Sequence, residues 1–351
     1  MSAPAISVVM AAYNGAALIG ETIASLKAQH FTDFEVVIVD DCSTDDTRAV
    51  LRAIGDPRFR LIEGEANVGP VRARNRAVAA ARGRYLAALD QDDVCAPDRL
   101  GTQLRFLDAN PDIVLVASAA DVIDGDRVHT PALPAVTTPA LIDWMLWISN
   151  PIVWSSVMLR TDAVRRLDPF TRPDRLYAED FDLYHRLRRF GRIARIDAPL
   201  LRYRRHAGGA SARFVATMLA SAQAVLAERH AARWGEQAAE RVWPIVAHVM
   251  QQAPVPDRAA FGALGQTLRE LQAAYLASAP ITPEDRRLVR WETARLWGRI
   301  GRTAMRAGTL RLGERLAVRP DHLGTGYARV DDLLVSALIG GTRRARSTEA
   351  I

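Results

Sequence analysis

The stretch Leu89-Asp90-Gln91-Asp92-Asp93 places three carboxylates within four residues, directly after an apolar run. Like charges this close oppose one another's ionisation unless a cation sits among them. Hard divalent ions take oxygen ligands, and Mg2+ or Mn2+ commonly bridges one or two carboxylates to a substrate diphosphate. The cluster suits that chemistry; taken alone, it suits equally well an acidic cap on the helix that follows. A second acidic turn, Asp40-Asp41-Cys42-Ser43-Thr44-Asp45-Asp46, stands earlier in the chain. A carboxylate there can accept hydrogen bonds from a nucleobase N–H or a ribose hydroxyl. Ser43 and Asp46 have the spacing of a helix cap, which leaves Asp40 and Asp41 ahead of it and free for a ligand.

Glu179-Asp180 opens an amphipathic stretch bearing Phe181, Tyr184 and Leu187. Near a helix N-terminus the dipole keeps Asp180 ionised, as a general base must be before it acts, although acids at helix starts most often serve structure alone. Arg202-Tyr203-Arg204-Arg205-His206 gathers cationic groups after a strand. It could bind phosphate, supply a histidine ligand, or form a solvated basic loop. Asn67, Gly69, Arg72, Arg74 and Asn75 pose the same choice at another strand-to-helix turn.

Short apolar runs must position these groups. Ile6 to Ala12 ends in the turn Tyr13-Asn14-Gly15, and Leu18, Ile19, Ile23 and Leu26 then recur at helical spacing. Phe34 to Val39 ends at Asp40-Asp41, and a helix carrying Val50, Leu51 and Ile54 follows. Arg58 to Ile62 makes a third strand, Pro70 opens a helix through Ala81, and Tyr85 to Leu89 makes a fourth strand stopping at Asp90. Pro97 then opens a helix with Leu100, Leu104 and Leu107 on one face. The alternation predicts an α/β fold, a mostly parallel central sheet with helices on both faces. Ligands of such sheets bind beyond the carboxyl ends of the strands, where Asp40, Asp41 and Asp90 fall.

Leu141 to about Ser211 has a mixed pattern, with a strand at Val153 to Leu159, a helix from Asp180 to Phe190 and a strand at Arg192 to Leu200. From Ala212 the composition turns to Ala, Leu and Arg with helical periodicity, and Thr282-Pro283-Glu284-Asp285 reads as a helix start. Residues 1–211 are therefore expected to form one domain, with a nucleotide-binding half of about 1–120 and an acceptor half of about 121–211, and 212–351 an all-helical C-terminal region. Gly340 to Ile351 is expected to fray.

With 351 residues, 49% of them hydrophobic and 25% charged, the composition is that of a globular chain. The longest apolar runs, such as Ile113 to Ala120, fall short of the ~20 residues that cross a bilayer. MSAPAISVVMAAYN carries no basic leader, and two cysteines, Cys42 and Cys95, fit a reducing compartment. A cytoplasmic location is expected. The net charge of +6 could favour nucleic acid, anionic lipid or a phosphorylated substrate. Arginines spread along the whole chain and the lack of a recognition motif argue against nucleic acid.

In this order, the pieces SVVMAAYNG, FEVVIVDDCSTDDT, NVGPVRARNRAVAAARGRYLAALDQDD, AEDFDLYHRL and LLRYRRHAGGAS resemble the family 2 inverting glycosyltransferases of GT-A fold, over about the first 210 residues. The resemblance implies a nucleotide-diphosphate sugar donor, with uridine the usual base, a divalent metal, Mg2+ or Mn2+, and a hydroxyl acceptor on a saccharide or lipid-linked saccharide in cell-surface polysaccharide or glycolipid synthesis. It assigns Ala12, Tyr13, Asp41 and Asp40 to base and ribose, with Asn67, Arg74, Asp90 and Gln91 elsewhere on the nucleotide sugar. It assigns Asp92, helped by Asp90, Asp93 and His206, to the metal, and Asp180 to the catalytic base. Trp154, Ser155, Ser156 and Glu179 fall on the acceptor side. Cys42 stands where glycine is more usual and Trp154 where histidine is frequent. Three other functions remain open: a dehydrogenase, whose glycine-rich fingerprint is missing at AAYNGAAL; a catalytically inactive nucleotide-sugar-binding or scaffold protein of the same fold; and a nucleic-acid binder. Peripheral contact with an anionic membrane is a further expectation, resting on the basic helical tail. Sequence does not fix the oligomeric state.

Overall fold

A computed structural model describes residues 3–131, 136–278, 280–318 and 330–349. Among the described residues, nine strands form one mixed sheet: β1 (Ile6–Ala12), β2 (Phe34–Asp40), β3 (Phe59–Glu63), β4 (Tyr85–Ala88), β5 (Val94–Cys95), β6 (Ile113–Asp124), β7 (Arg127–His129), β8 (Met158–Arg160) and β9 (Arg192–Arg205). Their order is β3-β2-β1-β4-β8-β6-β9-β5, with β7 hairpinned onto β6. The first half is parallel, β1 pairing with β2 and β4, and β2 with β3. All of β2 is buried, as expected of an apolar strand covered on both faces. Ile6, Val8, Met10, Val36, Ile38, Leu89 and Leu100 share one core with Met158 and Leu201 from the second half.

Two departures from the sequence reading decide how the site is built. The expected strand at Val153 to Leu159 is instead a 3-10 turn, Trp154–Ser156, followed by the short β8, which pairs antiparallel with β4. The N–H and the hydroxyl of Ser156 both donate to the Val153 carbonyl, at 2.9 and 2.7 Å, so the serine diverts the backbone from a ladder. The strand expected to stop at Leu200 runs on to Arg205, so the basic stretch lies on a strand instead of a loop. Beyond a register shift near Ser118, β9 continues beside β6 to Arg205 and adds β5 on its other edge, Leu201 opposite Cys95 and Arg202 opposite Val94. β5 directly follows Asp93, and this pairing carries the basic end of β9 to the acidic turn.

The Thr47–Arg52 helix is not capped as expected. Asp46 precedes it without a side-chain cap bond, while Asp45 Oδ1 accepts the Thr47 N–H at 3.0 Å. Ser43 Oγ instead accepts the Asn14 N–H at 3.0 Å, tying the second acidic turn to the end of β1. Cys42 sits at φ +63°, a left-handed conformation that explains why glycine is the easier residue there.

Contacts divide the chain into two compact units, residues 1–142 with 151–221 and residues 143–150 with 222–351. The second is helical: Val215–Trp234 runs into it from residue 222, and Ala238–Ile245, Arg258–Ser278, Pro283–Ala307 and Val330–Glu349 follow, with shorter turns between. Thr282 caps its helix as expected, accepting the Asp285 N–H at 3.1 Å. Trp144, Trp147, His230, Trp234 and Tyr275 supply aromatic contacts inside this unit. The segment expected to fray is helical to Glu349, and residues 350–351 lie outside those described. Among the described residues, no helix is long and apolar enough to cross a membrane.

Candidate active site

The turn after β4 is held from every side. Asp90 N–H donates to Ser155 Oγ at 3.0 Å, Thr22 Oγ1 donates to the Gln91 carbonyl at 2.8 Å, and Arg204 Nε donates to the Asp92 carbonyl at 3.0 Å. Gln91 spends its amide on the first strand's turn: Oε1 accepts the Tyr13 N–H at 2.9 Å and Nε2 donates to the Tyr13 carbonyl at 3.0 Å. Gly15 makes room for it, since a Cβ there would lie 2.3 Å from Gln91 Oε1. Asp93 is buried, and Oδ1 accepts the Arg204 N–H at 2.9 Å. Burial pushes its carboxyl well above the usual range, and the neighbouring charges of Asp90 and Asp92 push it further, against the pull of Ser155 and the Arg204 N–H.

Across from this turn, Asp92 Oδ2 and His206 Nε2 lie 2.9 Å apart, with 23% and 33% of their side-chain surfaces open. A carboxylate and an imidazole, both groups able to ligate a metal, therefore meet at one partly exposed point beside Asp90 and Asp93. Among the described residues, no group of three His, Cys, Asp or Glu forms a complete ligand set. The residues present fit a hard divalent cation that draws its remaining ligands from a bound diphosphate and water.

Arg74 is the central cation. It lies on the Pro70–Ala80 helix with 9% of its side chain exposed, pairs through Nη1 with Glu179 Oε1, and reaches Asp90 Oδ1 at 3.4 Å. Its guanidinium stands 4.4 Å over the Trp154 ring. Burial would lower its pKa, but the charges of Glu179, Asp90 and Asp180 outweigh that and raise it. One guanidinium thus joins the turn bearing the acidic cluster to the first turn of helix Glu179–Leu187, on which Asp180 stands partly exposed. Asp90 is set deep among protein atoms although 37% of its side-chain surface is open; desolvation raises its carboxyl and Arg74 pulls it back.

At the second acidic turn the two aspartates are not free. Asp40 is fully buried, and Oδ2 accepts Arg48 Nε at 2.6 Å and the Ser43 N–H at 3.1 Å. Asp41, 2% exposed, accepts the Val68 and Gly69 N–H groups at 2.9 and 2.8 Å, and so fixes the loop ahead of the Arg74 helix. Around them Ala12 is buried, while Tyr13 and Asn67 are exposed. The residues expected on the acceptor side also turn inward: Trp154, Ser155, Ser156 and Glu179 are all buried.

Three further residues, Arg99, Tyr177 and Phe214, were not singled out by the sequence. Arg99, fully buried, donates to the Ala88 and Val157 carbonyls at 2.8 and 3.2 Å and to Gln103 Oε1 at 3.1 Å, bracing β4 against the turn before β8. Tyr177, at φ +64°, stacks on Phe214 with ring centroids 4.7 Å apart and planes 11° apart. That stack ties the segment following His206 to the loop entering the Asp180 helix. An aromatic residue two positions ahead of Glu179 was the signal the sequence offered for Tyr177.

Comparison with known proteins bears on the family and the fold. The model of the family "Glycosyl transferase family 2" matches residues 7–167. The succinoglycan biosynthesis protein ExoO of Rhizobium meliloti is 44% identical over 148 residues, 40% of this chain and 42% of ExoO, so less than half of that relative's length is spanned. The Escherichia coli UDP-Glc:alpha-D-GlcNAc-diphosphoundecaprenol beta-1,3-glucosyltransferase WfaP is 32% identical over 213 residues, 59% of this chain and 80% of WfaP. The mannosyltransferase PcManGT of Pyrobaculum calidifontis, solved with GDP-Man and Mn2+, superposes with a TM-score of 0.51 at 19% identity, covering 96% of this chain and 88% of that one. That likeness bears on the fold alone, which is the GT-A fold. With four-fifths of a glucosyltransferase matched at this identity, the chain belongs to glycosyltransferase family 2.

Proposed function

We infer that the chain transfers a sugar, with inversion at the anomeric carbon, from a uridine diphosphate sugar to a hydroxyl of a saccharide or lipid-linked saccharide at the cytoplasmic face of a membrane, in cell-surface polysaccharide or glycolipid synthesis. The observation that carries this reading is Arg74, which holds Glu179 and Asp90 together and so brings the acidic cluster and the Asp180 helix to one place. WfaP's name gives a UDP-glucose donor and a diphosphoundecaprenol-linked acceptor for WfaP, and ExoO's gives polysaccharide biosynthesis for ExoO; both support the reading by likeness.

In this reading Ala12, Tyr13 and Asn67 frame the base and ribose. Asp41 shapes that wall through Val68 and Gly69, with Asp40 behind it. Asp92 and His206, beside Asp90 and Asp93, would hold Mg2+ or Mn2+, which when bound supplies positive charge against the diphosphate oxygens. Arg74 keeps Asp90 from adding an unopposed charge on the donor side. Asp180 Oδ2 accepts the proton of the acceptor hydroxyl as its oxygen bonds to the anomeric carbon; the carbon–oxygen bond to the diphosphate breaks, and its electron pair leaves with the nucleoside diphosphate. Asp180 Oδ1 accepts the Phe181 N–H at 2.7 Å, a bond that orients the carboxylate. The buried serines 155 and 156 act on the acceptor side only by shaping the turn.

Asp180→Asn tests this. Loss of a general base lowers transfer by roughly 10²–10⁴-fold, while nucleotide-sugar binding measured by calorimetry stays within error. Full transfer by that variant would end the assignment.

A further inference from the structure

A hollow of about 450 Å³ lies within the helical unit, lined from helices Ala238–Ile245 and Arg258–Ser278 and from the turns beside them. Small-molecule sites typically span about 300–1,000 Å³. The sequence shapes its first wall. Pro244 sits inside its helix and has no N–H to give the Glu240 carbonyl one turn back. The helix then widens into a π-helical turn, Val246–Met250, where the Gln251 N–H donates five residues back to the Val246 carbonyl at 2.9 Å. Such turns recur at functional sites. Gln237, Glu240, Pro244 and His248 line the hollow from this wall. Gln252, at φ +59°, reverses the chain and brings the Ala253 carbonyl to 2.9 Å from His248 Nδ1. A carbonyl can only accept, so Nδ1 carries the proton, and the neutral ring keeps Nε2 as an acceptor.

On the other wall Thr267 donates its hydroxyl proton to the Ala263 carbonyl at 3.1 Å, which leaves its oxygen to accept as well. Glu240 adds a carboxylate. The fixed donor is Arg241: Glu270 Oε2 accepts its Nη2 at 2.7 Å, and the guanidinium stands 4.6 Å over the Trp234 ring. The lining is thus rich in acceptors, and Glu240 and Arg241 give it one charge of each sign. Pro244, Pro256 and Leu264 supply apolar ground. Trp243 is 45% exposed, and it stands three residues on from Glu240, hence beside it on the helix surface.

We propose that this hollow binds an uncharged saccharide, at a site built wholly from residues of the helical unit. A sugar ring carries O–H donors around its rim and C–H groups on its faces. The carboxylate, the imidazole Nε2 and the threonine oxygen accept from the first, while the prolines, Leu264 and the exposed indole cover the second. An anion would meet Glu240 and the Nε2 lone pair, and a polycation would meet Arg241, so the balance of charge favours a neutral ligand. The site gives the transfer reading a second hold on a saccharide acceptor. It rests on that reading only for its purpose, because sugar binding is measured without turnover.

The test is saturation-transfer NMR of the full chain with a panel of uncharged tetrasaccharides of glucose, galactose, mannose and N-acetylglucosamine, and with inorganic phosphate and spermine beside them. At least one sugar should bind at millimolar concentration, and saturating UDP should not displace it. Ala263 lines the hollow and is exposed, so Ala263→Trp should fill the space without disturbing the core and abolish the signal. Glu240→Gln keeps the shape and should weaken binding by roughly tenfold, the loss of a hydrogen bond to a charged acceptor, at an unchanged melting temperature. On the wild-type chain, the bound sugar should slow hydrogen exchange across 237–250 and 256–267, an arm that needs no variant. Binding that survives both variants, exchange protection confined to residues 1–142 and 151–221, a preference for phosphate or spermine over every sugar, or no binding by any sugar of the panel would each overturn the proposal. Sugar binding here by a chain that transfers nothing would sink the transfer reading and leave this one standing.

Discussion

Asp92 and His206 stand 114 positions apart in sequence and 2.9 Å apart in space, joined because β9 pairs with the two-residue strand that follows the acidic turn. This contact makes His206 a partner of the acidic cluster, and it fits a cation completed by substrate oxygens. His206→Ala should therefore raise the Mn2+ concentration that half-saturates nucleoside diphosphate release by about tenfold or more. Asp92→Asn should go further, and chelation should silence the wild type. An unchanged metal dependence in His206→Ala would leave the histidine as a plain hydrogen-bond partner of Asp92.

The Arg74–Glu179 pair makes stability and activity separable. Removing one member of a buried ion pair costs about 3 kcal/mol, because the other is left charged in a dry place. Glu179→Gln should lose roughly that amount in urea unfolding. Replacing both, Arg74→Met with Glu179→Leu, should recover much of it. Activity should not recover in the double variant, since Asp90 then loses its cation. A double variant both stable and fully active would show the pair to be scaffolding alone.

Gly15 and Gln91 form a lock between the first and fourth strand ends. An alanine methyl at position 15 meets the Gln91 amide at 2.3 Å, and the long side chain can swing away. Gly15→Ala should thus cost under about 1.5 kcal/mol, but it should free the Tyr13 backbone from its paired amide and raise the donor KM. Added to Gln91→Ala it should do little more, because the contact is already gone. Strictly additive effects on KM would refute the lock.

What the sequence made legible follows from where the physics is local. β1, β2 and β4 showed as apolar runs because a parallel strand covered on both faces must be apolar throughout, and the aspartates at their ends marked the site. The Thr282 cap was readable because a cap is a contact between residues three apart. Charged Arg202 to Arg205 hid the end of β9, since what makes them a strand is a partner about a hundred positions away in the chain. Ser155 and Ser156 were placed on the acceptor side by resemblance, and their hydroxyls hold the backbone of Asp90 and Val153. Arg99 was beyond reach altogether, because main-chain carbonyls from two separate strand ends and turns leave no trace in residue type.

His230 gives the helical unit a pH dependence of known sign. It is 2% exposed, and its Nε2 donates to the Trp147 carbonyl at 2.9 Å. Burial lowers its pKa from 6.5 to about 4, against that hydrogen bond, with Arg229 and Arg233 lowering it further. A folded pKa below the unfolded one means that the unfolded chain binds the proton more readily. The contribution is therefore complete above about pH 6.5 and is lost as pH falls towards about 4, on the order of 3 kcal/mol over that window. Trp147 and Trp234, whose rings lie 5.6 and 5.1 Å from the imidazole, report on this unit by fluorescence. Urea midpoints followed through them should fall with acid in the wild type and fall less in His230→Gln, whose amide can keep the bond to Trp147. Parallel curves for the two proteins between those pH values would mean that the imidazole is already protonated in the fold, or that it gains a partner for its charge there.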